Sequence, residues 1–406
     1  MKVNKNIFYL LLLAIVSSNY FGALFLNKTV VVSIRFLFLA IILLNSIKYF
    51  LKKSPTKIFF AYKIFCFSIV FSIFLAWISW EQSFLDSILA TNFYLFFFIF
   101  FTIVSINPSV EEITRTILYC GYINIPIFFI QFFNPDISLF GLSGSEQVDD
   151  RFGDFIRVVL PANGYLIFTF FYYLQKIRSN FSFSKLSLLI VILLIFVLQV
   201  TRQIYFAIIV IFLISLISTF SFRNKLVSVL FLISVYLTFT LNPKANKLYT
   251  GIESGLSTKN ELVAEDLQNY SRILALNNII FENSPNILST IFGNGFPRVG
   301  ESNYGKYYLK ISNANLDFSD VGIFGFYAYV GIIPSLTMLY LLIFLIFLRI
   351  DSKYFYYKTY LLFLILTILT SFYIYHYFYI FINSLVFYFF HKQIIFMKFE
   401  KQKKII

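Results

Sequence analysis

Long apolar runs constrain this sequence more than any other feature. About twelve runs of roughly 20 residues, each long enough to cross a bilayer as an α-helix, are joined by short polar connectors. Apolar residues make up 59% of the chain, charged residues only 13%, and the mean hydropathy is +0.80. Because a water-soluble domain cannot bury that much apolar surface, we expect an all-α, polytopic integral membrane helical bundle.

The expected spans fall into two groups separated by one polar segment. Residues 1–241 hold nine transmembrane helices, residues 242–320 form a large, partly helical outward loop, and residues 321–406 hold three helices and a cytoplasmic tail. The first run has no small-residue cleavage site, so we interpret it as a span rather than a signal peptide. The twelve spans lie near Ile7–Leu26, Val30–Ile47, Ile58–Trp80, Ile88–Ile106, Ile113–Phe133, Ile156–Leu174, Leu186–Val200, Ile204–Phe220, Leu226–Leu241, Val321–Leu348, Thr359–Ile374 and Tyr377–Phe396.

Basic residues alternate with the spans and set the expected orientation. By the positive-inside rule, the basic side is the cytoplasm and holds both termini. The net charge of +14 therefore indicates membrane orientation rather than nucleic-acid binding. The Asn107–Arg115 connector is ambiguous, because Glu111 and Glu112 offset its arginine. The basic connectors and termini contain Lys2, Lys5, Lys48, Lys52, Lys53, Lys57, Lys176, Arg178, Lys185, Arg223, Lys225, Arg349, Lys353, Lys358, Lys398, Lys401, Lys403 and Lys404.

The polar segment between Leu241 and Pro334 is the one long interruption of the apolar pattern. Apolar residues Ile273, Leu276 and Ile280 recur at helical spacing and predict a helix over Tyr270–Glu282. A turn and a second short helix follow, closed by Gly-Asn-Gly at 293–295. Ordered loops of this length are usually functional, so we expect an outward working surface, away from ATP and nucleotide sugars.

Several chemistries lack their sequence motifs. The chain has no G-x-x-x-x-G-K-[ST], H-E-x-x-H or C-x-x-C motif, and no Asp-x-Asp pair that would hold a metal-bound nucleotide sugar. Cys66 and Cys120 lie in apolar runs and are interpreted as core residues. His376 and His391 are interpreted as ordinary membrane-edge residues. We therefore expect neither a metal nor another cofactor.

Arginine at outward-facing positions is the feature that points to a site. Arg157 opens the sixth span in RFGDFIRVVLPANG, Arg202 ends the seventh in LQVTRQIYFAIIV, and Arg272 starts the loop helix. A guanidinium between two apolar runs is costly unless an anion meets it. Snorkelling to lipid phosphates explains Arg202 equally well. Arg35, in the second span, is a further candidate that could also snorkel outward.

The order of these pieces carries a family resemblance. A Thr-Arg pair heads an apolar span, a large loop with an arginine-bearing helix follows, then GNG, and then DVGIFGF and YVGIIP. From Arg157 onward, and in its span layout, the chain resembles the O-antigen polymerase and O-antigen ligase superfamily. The resemblance implies a GT-C-like fold and glycosyl transfer on the outer face of the bacterial cytoplasmic (inner) membrane. Polymerases of this family extend glycans carried on undecaprenyl pyrophosphate.

The resemblance also implies roles for individual residues. Arg202 matches the Ser/Thr-Arg at the head of a span, and Arg272 matches the arginine of the loop helix. Asp320 lies near the position where ligases carry a loop histidine; this loop has no histidine, which favours the polymerase branch. Guanidiniums would stabilise the pyrophosphate leaving group, and Asp320 or Asp317 would accept the proton of the attacking hydroxyl. A helix cap or a loop charge is an equal interpretation of either carboxylate. In this hypothesis the catalytic residues are Arg202, Arg272 and Asp320, and the substrate-binding residues are Arg157, Arg35 and Asp317.

The implied enzyme is a metal-independent repeat-unit polymerase of lipopolysaccharide O-antigen, capsule or exopolysaccharide biosynthesis. Its partners would be the undecaprenyl-pyrophosphate-linked glycan, as donor and acceptor, and the bilayer, with a chain-length regulator and a flippase as further candidates. The alternatives are an O-antigen ligase, a lipid-linked glycan flippase or transporter, and a non-catalytic membrane partner of an export complex. Proton-coupled transport is disfavoured by the near absence of acidic residues within the spans.

Overall fold

The computed structural model describes residues 4–18, 28–134, 163–199, 202–218, 271–300, 302–313 and 318–403, together with 20, 148–149, 157–158 and 160. Helices dominate this part of the chain. They are α1 (Lys5–Ser17), α2 (Lys28–Phe50), α3 (Lys57–Trp80), α4 (Phe84–Thr91), α5 (Ile99–Ile106), α6 (Val110–Phe133), α7 (Gly164–Ser179), α8 (Phe183–Gln199), α9 (Arg202–Ser218), α10 (Ser271–Asn277), α11 (Ile287–Phe292), α12 (Asn303–Asn313), α13 (Ile323–Val330), α14 (Ile332–Phe347), α15 (Phe355–Thr367) and α16 (Tyr377–Lys403). Short 3₁₀ helices cover Tyr94–Phe98, Phe318–Val321 and Ser352–Tyr354, and β1 (Val148–Asp149) pairs antiparallel with β2 (Arg157–Val158).

Several helices have the length and apolar composition of membrane spans. Within the described part, α2, α3, α6 and α16 are long enough to cross a membrane, and α4 with the bent run Tyr94–Ile106 makes a fifth, angled by 58°. Large apolar side chains on the outer faces are exposed, and they include Leu37, Leu44, Phe60, Phe67 and Trp77. Such rows would be unfavourable in water and are typical of lipid-facing surfaces. The protein is therefore a membrane-embedded helical protein, while the number of twelve spans stays a prediction.

The expected span Val321–Leu348 is divided into two helices in the structure. The break lies at Gly331, which has a φ of 88° and therefore cannot continue a right-handed helix. A Cβ at this position would also overlap the backbone carbonyl of Ile291 in α11. Close packing of the loop against the span thus explains why the helix is interrupted here.

Two other expected spans are shorter as helices than the sequence predicts. The helix expected at Ile156–Leu174 begins only at Gly164, because Arg157 and Val158 belong to β2. The helix expected at Thr359–Ile374 ends at Thr367 and gives way to turns. The span expected at Leu226–Leu241 lies outside the described residues.

Helix α16 forms the centre of the bundle. It packs against α1, α3, α5, α6 and α7, and its residues from Ile380 to Phe390 are all buried. A helix that is apolar on every side can be buried on every side, which suits this central position. Aromatic rings fill the contacts around it: the Tyr357 and Phe389 rings stack with their centroids 3.7 Å apart.

One end of the bundle gathers the N-terminus, the ambiguous connector and the end of α16; we call it the basic end. The Asn4 Nδ2 atom donates to Glu112 at 2.6 Å, and Lys392 Nζ donates to the Pro108 carbonyl at 2.6 Å. Lys398 Nζ donates to the carbonyl of Pro55 at 2.8 Å. The connector at 107–109 therefore lies at the same end as three other basic segments, which removes the ambiguity that its two glutamates created.

We predict that the basic end faces the cytoplasm. Single cysteines at Ser257, in the loop, and at Ser352, beside α15, should react from opposite sides of the membrane. In intact spheroplasts an impermeant maleimide should label Ser257→Cys and leave Ser352→Cys unlabelled, because positive connectors stay inside. Native Cys66 and Cys120 are buried, so they should add little background.

A cysteine at Lys398 is the matched control for this labelling. Lys398 lies at the basic end, so it should be protected together with Ser352 and should react only after the membrane is opened. Protection at position 257 combined with labelling at positions 352 and 398 would contradict the orientation.

Candidate functional site

The end of the bundle opposite the basic end is organised around a non-helical connection. Residues 368–376, which we call the α15–α16 turn, follow α15 and precede α16. Asn383 of α16 lies beneath this turn, and its Nδ2 atom donates to the carbonyls of Tyr373 and Ile374 at 3.0 and 3.1 Å. Its Oδ1 atom accepts from the Tyr360 hydroxyl at 2.9 Å. Backbone carbonyls outside a helix need hydrogen-bond donors in an apolar surrounding, and the Asn383 amide donates to two of these carbonyls.

Helix α9 begins beside the α15–α16 turn. The Gln203 side chain donates to the Thr370 carbonyl, and α9 packs along α15. Arg202 is the first residue of α9, so its backbone lies at the turn; its side chain lies outside the described part. The start of a helix also presents unpaired N–H groups and a positive dipole, both favourable to an anion.

The segment that contains Asp320 is held at the same turn. The Ile323 N–H donates to the Ile368 carbonyl at 2.8 Å, and Gly322, with φ 56°, packs so closely that a Cβ would overlap this carbonyl oxygen. Asp320 is exposed in the 3₁₀ helix just before that glycine. The N-cap of α13 is Gly322, so the cap interpretation of Asp320 is wrong.

Arg272 lies on the element that packs against the Asp320 segment. Helix α10 contacts the 3₁₀ helix at Phe318–Val321, and Arg272 is its second residue, half-buried. The sequence predicts this helix correctly but not its buried face: Ala275 and Ile279 are buried, while Ile280 is 44% exposed. The residues at 278–282 form a wider π turn, which rotates the later side chains relative to an ideal α-helix.

Arg35 reaches this end through aromatic contacts. Its guanidinium lies 4.0 Å from the centre of the Phe93 ring, and the Phe93 ring packs on Tyr377, at the start of α16, at 4.3 Å. The Nε atom of Arg35 is buried and has no hydrogen-bond partner among the described residues. A guanidinium that is desolvated and lies over an aromatic face is well suited to bind an anion.

His376 closes the α15–α16 turn inside a group of aromatic rings. Its ring stacks on Tyr377 at 4.2 Å and packs on Phe372 at 4.4 Å. Desolvation by these rings lowers the pKa of His376 to about 3. The imidazole is therefore neutral at ordinary pH, and it is far from the pKa that suits a general base near pH 7. His376 lies between α15 and α16, as the sequence indicated, and its interpretation as a membrane-edge residue stays a prediction.

The remaining candidates are placed less completely. The β2 strand holds Arg157 opposite Asp149 and packs against α6 and α8. Asn163 Nδ2 donates to Gln199 at 2.8 Å and ties the start of α7 to the end of α8, three residues before Arg202. The contact of β2 with α8 places the Arg157 backbone beside that helix, although the Arg157 side chain is not among the described ones. Asp317 lies outside the described residues.

The Gly-Asn-Gly segment at 293–295 enters the bundle instead of remaining in solvent. The N–H groups of Asn294 and Gly295 donate to the carbonyls of Ala328 and Tyr329 at 3.0 and 2.9 Å. These carbonyls lie in the last turn of α13, where the break at Gly331 leaves them without helical partners. The loop and the broken span therefore complete each other's hydrogen bonds.

The last residue of α3 and a residue just beyond this helix anchor the loop, and sequence reasoning missed both. Trp80 Nε1 donates to Asn294 Oδ1 at 3.0 Å. Gln82, fully buried, donates to Ser87 and to the Phe296 carbonyl, and it accepts from the Arg298 N–H and the Ser302 hydroxyl at 2.8 and 2.7 Å. A buried glutamine is stable only when its donors and acceptors are paired. A polar amide directly after a long apolar run was the available signal.

The described residues contain no group of three His, Cys, Asp or Glu side chains that could hold a metal. The candidate site consists of the elements that carry Arg202, Arg272 and Arg35, the exposed carboxylate of Asp320, the neutral imidazole of His376 and the start of α9. Such a set can bind an anion and accept a proton. Comparison of the chain with protein-family models, with curated proteins and with solved structures finds no match.

Proposed function

We propose that this protein polymerises undecaprenyl-pyrophosphate-linked oligosaccharide repeat units into O-antigen or capsule-type polysaccharide on the outer face of the bacterial cytoplasmic membrane. In this proposal the protein is a metal-independent glycosyltransferase with a GT-C-like arrangement of about twelve spans. Both termini are cytoplasmic, and the α15–α16 turn lies at the outer surface.

One observation carries the proposal: separate elements that bear the candidate arginines lie around one turn. Gln203 fixes the start of α9, and therefore Arg202, to Thr370. The Ile368 carbonyl holds the segment of Asp320, against which the Arg272 helix packs. Elements far apart in sequence thus bring basic groups to the end of the bundle opposite the basic connectors. An anionic substrate explains this arrangement better than isolated contacts with lipid.

The chemistry follows from the charges. The donor glycan is bonded through its anomeric carbon to an oxygen of the lipid pyrophosphate. A hydroxyl of the acceptor glycan attacks that carbon, the carbon–oxygen bond to pyrophosphate breaks, and the electron pair leaves on the phosphate oxygen. Arg202 and Arg272 bind the phosphate oxygens, and Arg35 adds positive charge; bidentate guanidiniums stabilise this developing charge.

The hydroxyl proton needs an acceptor. Asp320 is exposed at the site and is the proposed base, with Asp317 as the second carboxylate of the same segment. His376 is held neutral with a pKa of about 3, so we assign it a role in positioning the turn rather than in proton transfer. Arg157 is proposed to bind the substrate from the β2 strand.

The glycan profile of cells lacking the protein tests this function. We expect single repeat units to be made, exported and attached to their final anchor, with no ladder of longer chains. Polymerisation alone is lost, because assembly and export belong to other proteins. Electrophoresis of the surface glycan, together with analysis of the lipid-linked pool, provides the measurement, and the gene supplied in trans is the control.

The alternatives predict other outcomes in the same experiment. Long chains accumulating on undecaprenyl pyrophosphate would identify a ligase. Single units confined to the cytoplasmic face would identify a flippase or transporter. An unchanged glycan would favour the non-catalytic partner and would reject the polymerase.

A further inference from the structure

A cavity of about 330 Å³ opens at the basic end of the bundle, far from the α15–α16 turn. It lies between the first turns of α6, the last turns of α7 and the connector before α15, which is helical at Ser352–Tyr354. Helix α15 runs from this cavity to the turn, and its 13 residues separate the two by about 20 Å at 1.5 Å per residue. The cavity is therefore distinct from the site of the proposed function.

The cavity walls carry more positive than negative charge. Arg115, Lys176 and Lys353 line it, against one lining carboxylate, Glu111. Lys353 Nζ also lies 3.2 Å from Asp351, so these three basic and two acidic groups together leave one positive charge. Two ammonium groups lie over tyrosine rings at the wall, Lys176 over Tyr172 at 5.5 Å and Lys353 over its neighbouring tyrosine at 4.8 Å.

The walls of the cavity are fixed by hydrogen bonds. Gln175 Nε2 donates to the Ser352 carbonyl at 2.6 Å, and its Oε1 atom accepts from the Tyr356 N–H at 2.6 Å. On the opposite wall, Thr114 is buried against the hydroxyls of Tyr356 and Tyr357, at 3.3 and 3.0 Å. Helices α6 and α7 are thereby joined to α15 and its connector, so the basic side chains extend from a preformed frame.

A lipid-facing stripe on α6 leads directly into the cavity. The exposed residues of α6 lie on one face of the helix and change in character along it, from charged to aromatic to apolar. In order they are Glu111, Arg115, Tyr119, Ile123, Pro126, Ile130 and Phe133. This sequence matches the profile of a membrane from headgroup to hydrocarbon, with the tyrosine at the level of the interface. A ligand in the cavity therefore has an apolar surface continuous with its binding site.

We propose that this cavity binds the phosphate of an anionic phospholipid headgroup from the leaflet at the basic end, with an acyl chain along the α6 stripe. Basic cavities between membrane helices at the positively charged side suit such headgroups. Arg115 and Lys176 bind the phosphate, and the tyrosines contact the glycerol region.

Lipid binding to the purified full-length protein tests the proposal. The protein is delipidated, mixed with phosphatidylglycerol or phosphatidylcholine, and examined by native mass spectrometry for bound lipid. We expect phosphatidylglycerol to bind more tightly than phosphatidylcholine. We expect the Arg115→Gln/Lys176→Gln variant to bind phosphatidylglycerol about tenfold more weakly, because two phosphate contacts are lost.

Two further variants make the result specific. Lys52→Gln/Lys53→Gln removes two exposed charges at the basic end outside the cavity and should bind lipid as the natural protein does. Arg115→Lys/Lys176→Arg keeps the charge and should retain most of the binding, which also reports on folding. Equal losses in the cavity variant and the Lys52/Lys53 variant, or an equal loss in the charge-retaining variant, would overturn the proposal.

The source of the phosphate is tested by competition. Glycerol phosphate shares the headgroup chemistry but has no acyl chain, so at equimolar concentration it should leave bound phosphatidylglycerol in place. Displacement by glycerol phosphate at that concentration would overturn a lipid ligand in favour of a soluble phosphate ester. Equal binding of phosphatidylcholine would overturn recognition of negative charge.

Discussion

Cells that carry Arg202→Ala or Arg272→Ala should lose long-chain surface glycan. Each guanidinium is proposed to stabilise the departing pyrophosphate, and loss of one such group typically lowers the rate roughly 10²-fold. Arg→Lys keeps the charge but loses the bidentate contact, so it should restore the chains only in part. The measurement is the length distribution of the glycan, with the abundance of each variant quantified on the same samples.

Arg349→Ala is the matched control for both arginines. Arg349 is exposed and follows α14, on the side where the basic connectors gather, so its loss should leave the glycan ladder unchanged. Glycan chains of full length in Arg202→Ala cells, with the variant protein at normal abundance, would contradict the proposed mechanism. Full restoration of the chains by Arg202→Lys would show that bidentate geometry is unimportant, whereas equal effects of Arg202→Ala and Arg202→Lys would show that the positive charge alone is not sufficient.

Gly295→Ala should destabilise the protein strongly. Gly295 has a φ of 77°, and a Cβ there would overlap the Ser72 carbonyl and lie 2.7 Å from the Ala76 side chain of α3. A left-handed backbone costs a side chain about 1 kcal/mol, and overpacking adds roughly 1–3 kcal/mol. We expect a clear fall in the thermal unfolding midpoint of the detergent-solubilised protein.

Gly300→Ala separates the two causes. Gly300 has a φ of 86° but nothing within 4 Å of its hypothetical Cβ, so only the backbone cost applies. Its unfolding midpoint should fall much less than that of Gly295→Ala. Equal falls would show that the loop does not pack against α3 as described.

The sequence predicted those features of the fold that depend on local pattern. Apolar runs located the long helices because each must satisfy its own backbone in lipid. The second loop helix was also found, since Asn286 caps it and Gly293, with φ 88°, ends it. Both residues act within a few positions of the structure that they set.

Features that depend on distant contacts were not predicted. In the sequence, the region around Gly331 is one uninterrupted apolar span. The break is not visible there, because its cause is the Ile291 carbonyl on another element. The loop was expected to be an outward surface, yet Gln82 and Trp80 hold part of it within the bundle. Periodicity describes a single helix and contains no information about which other element will pack against it.

The candidate site shows the same division. Residue chemistry alone selected Arg202 as an unusual position, and the family resemblance added Asp320 and placed both residues in one mechanism. Their convergence on the α15–α16 turn rests on contacts of Gln203 and Gly322 with Thr370 and Ile368, which no spacing in the sequence indicates.

Asn383 beneath the α15–α16 turn has a consequence for biogenesis. The chain is synthesised from the N-terminus, so α9 and the loop are made before the turn that they contact. The α15–α16 turn itself depends on the side-chain amide of Asn383, which is synthesised later still, in α16. A nascent chain that has inserted every earlier helix thus still lacks the stabilised α15–α16 turn against which the segments of Arg202 and Asp320 pack. Truncation within the last helix should abolish activity even when all of the arginines have already been translated.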